Sequence, residues 1–406
     1  MDILLFDIDG VLVNPLGYRA CVKKTLDYFY KKMDLLDKMP PEDIAVSFEA
    51  IGITSEWDMI PICLAIVFDT FISNYKDGDI VLKNFEEGYR FIKNSEKSNV
   101  KIDYSRFLDT ISNNILKGNS APGTFLMDIL TGKYDNPFQY FSGQPLLFDL
   151  FSTTRDIEKS LTLQVFQNFA LGSEKFEEIY KQDALFSSAS YLHDYDQPLL
   201  AKEQLHKICK LLNDDKIKAA IYTARPSSYP REVEFEGIGY SPEAEIAIGL
   251  NKINNIPLIG LGKITYMAKM RGINPEELIK PSPFQSLACV FAAILNNELM
   301  GLKLADEVLF NRTKGNNYLK NILNSILDHI SYNEDINIHI FEDSISGMAA
   351  GEKSLSYLRD CGLESKLHTW GISMEKPKID KLENSGYRVF SNVNQALEVL
   401  FDRINS

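Results

Sequence analysis

Residues 2–7 are a short apolar run that closes on Asp7 and is followed by Asp9-Gly10. A run of this kind predicts a buried strand entering a tight loop. From 16 to 199 the spacing changes: apolar residues recur at helical intervals over 20–33, 60–74, 86–92, 105–116, 157–169 and 175–180. Pro40-Pro41 and Ala121-Pro122-Gly123 punctuate them. This stretch reads as a separate, mostly helical domain. From about 200 the pattern alternates. Helices are predicted over 200–212, 241–249, 284–295, 317–330, 346–354 and 394–402, with Ser241 as N-cap and Pro242 as first helical residue of the second. Strands are predicted over 218–223, 256–259, 336–341, 367–372 and 387–390. Alternation of this kind specifies a parallel sheet covered on both faces, with ligands bound beyond the carboxyl ends of the strands. The expected fold is therefore α/β, a Rossmann-like parallel-sheet core formed by 1–15 and 200–406, with 16–199 inserted as a large helical domain.

The chain has 406 residues, 45% of them hydrophobic and 24% charged, enough to build sizeable cores. Its formal net charge of −13 argues against nucleic acid or an anionic membrane as partner, since neither meets a basic face. The five cysteines are scattered, with no CxxC pair, so no disulfide framework or zinc site is expected. The start of the chain lacks the basic region and apolar length of a signal peptide. The apolar runs 59–68 and 287–295 are shorter than a membrane span and read as core helices. A soluble, cytoplasmic protein is the expectation.

The chemistry gathers at the predicted strand ends. Asp7 and Asp9 lie two residues apart, and Gly10 permits a sharp turn beside them. Two carboxylates forced together need a cation or a shared proton, and oxygen donors suit Mg²⁺. Thr223 closes the strand Ile221-Tyr222; alone it would read as a helix cap. Lys280 precedes Pro281, which predicts extended backbone, and alone it would read as a surface lysine. Glu342 and Asp343 follow an apolar strand and precede Ser344-Ile345-Ser346-Gly347; their simplest reading is a favourable charge at a helix N-terminus.

Taken together and in this order, the four segments resemble the motifs of the haloacid dehalogenase superfamily: Asp7–Leu12 its DxDG motif, Thr223 its hydroxyl motif, Lys280-Pro281-Ser282-Pro283 its lysine motif, and Glu342–Gly347 its acidic motif. The resemblance covers the core, while the 16–199 insert resembles the helical cap of the subgroup with beta-phosphoglucomutase and phosphoglycolate phosphatase, and is longer. The 300–335 region also looks enlarged. The resemblance implies a phosphatase: Asp7 as nucleophile, Asp9 as general acid/base, Thr223 and Lys280 on the transferring oxygens. It also implies Mg²⁺ held by Asp7, the Asp9 backbone carbonyl, Glu342 and Asp343. The cap is expected to exclude water from a small phosphorylated metabolite. Asn14, Arg19, Trp57 and Arg225 are candidate substrate contacts; Trp57 reads equally well as a core aromatic, and Arg225 slightly better as an ion-pair partner. A phosphomutase would share all four motifs. A silent binding module is the reading from another class, and the intact residue set speaks against it.

Overall fold

The structure, a computed structural model, describes residues 1–76, 80–112, 121–132, 137–311 and 336–404. It divides into two compact units: Met1–Leu16 with Tyr195–Ser406, and Gly17–Asp194.

The first unit is built on strands β1 (Asp2–Phe6), β4 (Ile217–Tyr222), β5 (Leu258–Ile259), β6 (Ile336–Glu342), β7 (Ser365–Ile372) and β8 (Val389–Phe390). They lie side by side in the order β5-β4-β1-β6-β7-β8, every pair parallel. A separate two-stranded ribbon pairs β2 (Val13–Asn14) with β3 (Gln197–Pro198). The chain builds outward from β1 to β5, then returns to the other side of β1 and builds outward to β8. Direction therefore reverses at β1 and β6, and their carboxyl ends open into the crevice where doubly wound sheets bind ligands.

Strand alternation divides the apolar residues between two faces. Ile3, Leu5, Ala220, Tyr222, Ile338 and Ile340 face one core, packed against helices that include Leu261–Arg271, Pro283–Leu295 and Glu298–Phe310. Leu4, Phe6, Ala219, Ile221 and Phe341 face the other, against Lys202–Asn213, Glu243–Leu250 and Val393–Ile404. On that second face Phe6, Phe341 and Trp370 stack across three neighbouring strands, with centroid spacings of 4.7 and 5.8 Å.

Gly301 shows how tightly the first face is packed. A Cβ there would lie 2.6 Å from the Ala288 carbonyl oxygen on the partner helix. In an open helix alanine stabilises relative to glycine by roughly 0.5–1 kcal/mol. Here the obstacle is backbone, so the clash decides the sign: Gly301→Ala should destabilise by about 1–3 kcal/mol, read as a lower urea midpoint at unchanged m-value.

The second unit is helical. Its hub is the Glu56–Ser73 helix, buried from Trp57 to Phe71, which is the signature of a helix surrounded on all sides. It packs against Ile44–Ala50, Phe85–Asn94, Tyr104–Ser112, Ala121–Thr131, Pro145–Ser152 and Leu161–Leu171. The apolar run 59–68 is thus a core helix. Among the described residues no helix is long and apolar enough to cross a membrane.

Several boundaries differ from expectation. The helix expected from Ser241 begins at Glu243 with Pro242 as its N-cap. The Ala244 amide donates to the Pro226 carbonyl, and the Ser241 hydroxyl turns to the buried Glu243 carboxylate, so no side-chain cap forms. Lys280 sits in a turn closed by the Ser282 amide on the Ile279 carbonyl, and its peptide to Pro281 is cis. Helices Leu261–Arg271, Glu298–Phe310 and Lys376–Asn384 were not anticipated. The helix expected over 317–330 lies outside the described residues.

Candidate functional site

Asp7 is the first residue beyond β1, and its amide donates to the Phe341 carbonyl of β6. β1 is the central strand, so its end is fixed from both sides. Residues 8–13 then fold back: the Leu12 and Val13 amides donate to the Ile8 carbonyl. Gly10 makes this loop possible, at φ +75, and a Cβ there would lie 2.7 Å from Asp343 Oδ2.

β6 ends in Glu342, with Asp343 next in the chain. One carboxylate oxygen each from Asp7, Glu342 and Asp343 can be chosen so that all lie within 4.8 Å of one another. Glu342 is fully buried, and its carboxyl is pushed well above the usual range, first by burial and then by the Asp7 charge, against the pull of Lys280. Asp343 is pushed up to about 6, again by burial first, with Lys378 opposing and Asp7 adding to it. Three carboxylates held together at such a cost, all offering oxygen, fit a hard divalent cation such as Mg²⁺.

Lys280 lies between two of them. Its Nζ is 3.1 Å from Asp7 Oδ1 and 3.0 Å from Glu342 Oε2, and 4.1 Å from the centre of the Tyr222 ring. Burial alone would lower its pKa, but the two carboxylates outweigh that and raise it above the ordinary lysine value. Thr223 follows β4 and is almost fully buried. Its Oγ1 accepts the Arg225 amide at 3.2 Å, the local capping role, and a hydroxyl that accepts still has a proton to donate.

Other sequence candidates are placed differently. The Asp9 carboxylate is not one of the three clustered carboxylates and is held by Arg225. Arg225, a candidate substrate contact that read slightly better as a surface ion-pair partner, is an ion-pair partner but a buried one, its side chain 1% exposed and bonded to Asp9 and Asp196. A buried guanidinium flanked by two carboxylates is committed to them. Asn14 lies in the ribbon opposite Gln197. Arg19 and Trp57 belong to the helical unit. Arg19 is exposed on the Leu16–Lys32 helix; Trp57 is buried, with the Arg155 guanidinium 5.3 Å from its ring, and Arg155 in turn grips Asp58.

Three contributors were not among the candidate site residues. Lys378 Nζ pairs with Asp343 Oδ2 at 2.5 Å, from a helix 35 residues further on. Asp196 braces Arg225. Ser344 donates to Glu342 and caps the following helix through the Gly347 amide; only this last had a signal, its place inside the Glu342–Gly347 motif at a helix start. Gly347 is required there, because a Cβ would lie 2.1 Å from Glu342 Cδ.

No protein-family description matches the sequence, and no curated protein matches it. An X-ray structure of a Northeast Structural Genomics Consortium target aligns with a TM-score of 0.59 at 14% identity, covering 100% of each chain. The phosphatase Tt82 from Thermococcus thioreducens aligns with a TM-score of 0.41 at 12% identity, over 90% of this chain and 92% of its own. The first likeness is one of fold alone.

Proposed function

We propose that the Asp7 centre is the active site of a Mg²⁺-dependent phosphatase of the haloacid dehalogenase type, hydrolysing a small phosphorylated metabolite through an aspartyl-phosphate. The observation that carries this reading is the position of Asp7. It ends the central strand at the point where strand order reverses, faces two further carboxylates, and is held at one oxygen by a buried lysine.

Asp7, Glu342 and Asp343 would hold the ion. Bound there, Mg²⁺ would neutralise charge on the phosphoryl group and on the carboxylates. The other steps belong to the chain's own side chains. With Lys280 on Oδ1, Asp7 is oriented so that its second oxygen can attack phosphorus. Lys280 and the Thr223 hydroxyl supply positive charge and a hydrogen bond to the transferring oxygens. Asp9 gives a proton to the leaving oxygen and later takes one from water. Lys280 has a second duty, because the same ammonium keeps Asp7 and Glu342 from repelling each other.

Release of phosphate from an aryl phosphate, followed with Mg²⁺ and with EDTA, tests the reading. Metal-dependent turnover is expected. Turnover unchanged by EDTA, or none from the folded protein across a screen of phosphomonoesters, would overturn it.

A further inference from the structure

Arg225 is the most completely engaged cation near the site. Its Nε lies 2.9 Å from both oxygens of Asp9, its Nη2 2.5 Å from Asp9 Oδ1, and its Nη1 2.9 Å from Asp196 Oδ2. The Arg225 side chain is 1% exposed and that of Asp196 0%. Both ends of this clamp are anchored by backbone. The Arg225 amide donates to Thr223 Oγ1, and its carbonyl accepts the Leu261 amide. Asp196 immediately precedes β3, which pairs with β2, and the Gly10 amide of the Asp9 loop donates to Val13 of β2. The loop carrying Asp9 and the segment carrying Asp196 are therefore tied to one ribbon.

Arginine can only donate hydrogen bonds, so a carboxyl that meets its planar fork with both oxygens is held as an acceptor. The two oxygens are not equivalent. Oδ1 takes two donors and Oδ2 takes one, while the Asp9 side chain keeps 36% of its surface exposed. Oδ2 is the oxygen with capacity left to accept a proton.

We propose that Arg225, braced by Asp196, is a positioning residue that presents Asp9 Oδ2 to the attacking water when the aspartyl-phosphate is hydrolysed. The proposal rests on the phosphatase reading and adds to it a device serving one half of the reaction. In that half, a water oxygen forms a bond to phosphorus while one of its protons passes to Asp9 Oδ2. The bond from phosphorus to Asp7 breaks, and its electron pair returns to the Asp7 carboxylate. Phosphate leaves with the other proton, and Asp9 passes its own to the leaving oxygen of the next substrate. A lysine at 225 would keep the charge and lose the fork, since an ammonium cannot meet both Asp9 oxygens and Asp196 in one plane.

The test uses the full chain with Mg²⁺ and p-nitrophenyl phosphate, whose leaving group departs without a proton, so that only the second half needs Asp9. Release of p-nitrophenol is followed from the first milliseconds, and phosphate bound to protein is counted after acid quench. Arg225→Met and Asp196→Asn should each give a burst of about one p-nitrophenol per enzyme, then steady turnover slowed about a hundredfold, with phosphoenzyme accumulating. Arg225→Lys should recover only part of the rate. Steady turnover within twofold of wild type in Asp196→Asn, which keeps the arginine and its charge, would overturn the proposal. So would a burst that shrinks in proportion to the steady rate, which is the mark of lost folded protein. A wild type that releases no p-nitrophenol removes the phosphatase reading and this proposal with it, an outcome distinct because it appears before any substitution.

Discussion

Replacing Asp7 with asparagine should abolish turnover, by at least about 10⁴-fold, while leaving the metal-free protein as stable as before or more so. The first half follows from the loss of the attacking oxygen. The second follows from the charges around it. Glu342 and Asp343 are both pushed up, by burial first, with the Asp7 charge adding to each. Removing that charge relieves two buried neighbours, whereas Lys280 keeps Glu342 as its partner. Each kcal/mol gained would raise the melting temperature by about 2–4 °C. Thermal melts in EDTA beside phosphate-release assays check both halves. A variant that melts well below wild type would make Asp7 a structural residue and its position at the strand end incidental. Active sites commonly hold such mutually unfavourable groups, which is why removing one can stabilise.

Lys280→Met should be inactive for the opposite reason and unstable as well. It leaves Asp7 and Glu342 buried without their shared ammonium, and uncompensated buried charge costs about 3–5 kcal/mol. The sign with pH follows from the raised pKa. A lysine whose folded value lies above its ordinary 10.5 contributes fully at every pH below that value, and the contribution is lost only as pH climbs through the folded value. The wild type should therefore show no Lys280-linked change in stability at neutral pH, with the loss confined to strongly alkaline solution. Adding Glu342→Gln to Lys280→Met should return a large part of the lost stability, since the pair is then removed rather than broken. If the double variant is no more stable than the single one, burial of the lysine stem against Tyr222, and not charge, is what Lys280 supplies.

These two residues also show what the sequence makes legible. β1, β4 and β6 were visible because each is an apolar run broken by a polar residue at the sheet edge, and a parallel sheet needs such runs. Asp7, Thr223, Lys280, Glu342 and Asp343 stood out because local spacing around glycine, proline and strand ends marks them. Two of the unanticipated helices lack that contrast. Leu261–Arg271 turns Lys263 inward, where it pairs with Glu245 at 2.9 Å, so its buried face does not read as apolar. Lys376–Asn384 buries only Leu382 and has almost no apolar stripe. The Arg225–Asp9 pair spans 216 residues and Lys378–Asp343 spans 35. A pairing over such distances is set by the closed sheet and leaves no local trace. For the same reason the sequence suggested an ion pair for Arg225 but not that it is buried, nor that its partners are Asp9 and Asp196.

The strand order has a consequence for how the chain is made. The central strand, Asp2–Phe6, pairs only with segments that begin at Ile217 and Ile336. At roughly 5–20 residues per second, the ribosome needs on the order of tens of seconds to reach the second of these after making the first strand. Until Ile217–Tyr222 is made, a fully apolar strand, Ile3 to Phe6, has neither of its sheet neighbours, and until Ile336–Glu342 is made it has only one. Pairings this distant in sequence also form slowly. The nascent chain thus carries this apolar strand incompletely paired over a long stretch of synthesis, and a fragment that stops short of residue 342 lacks one of its two sheet neighbours.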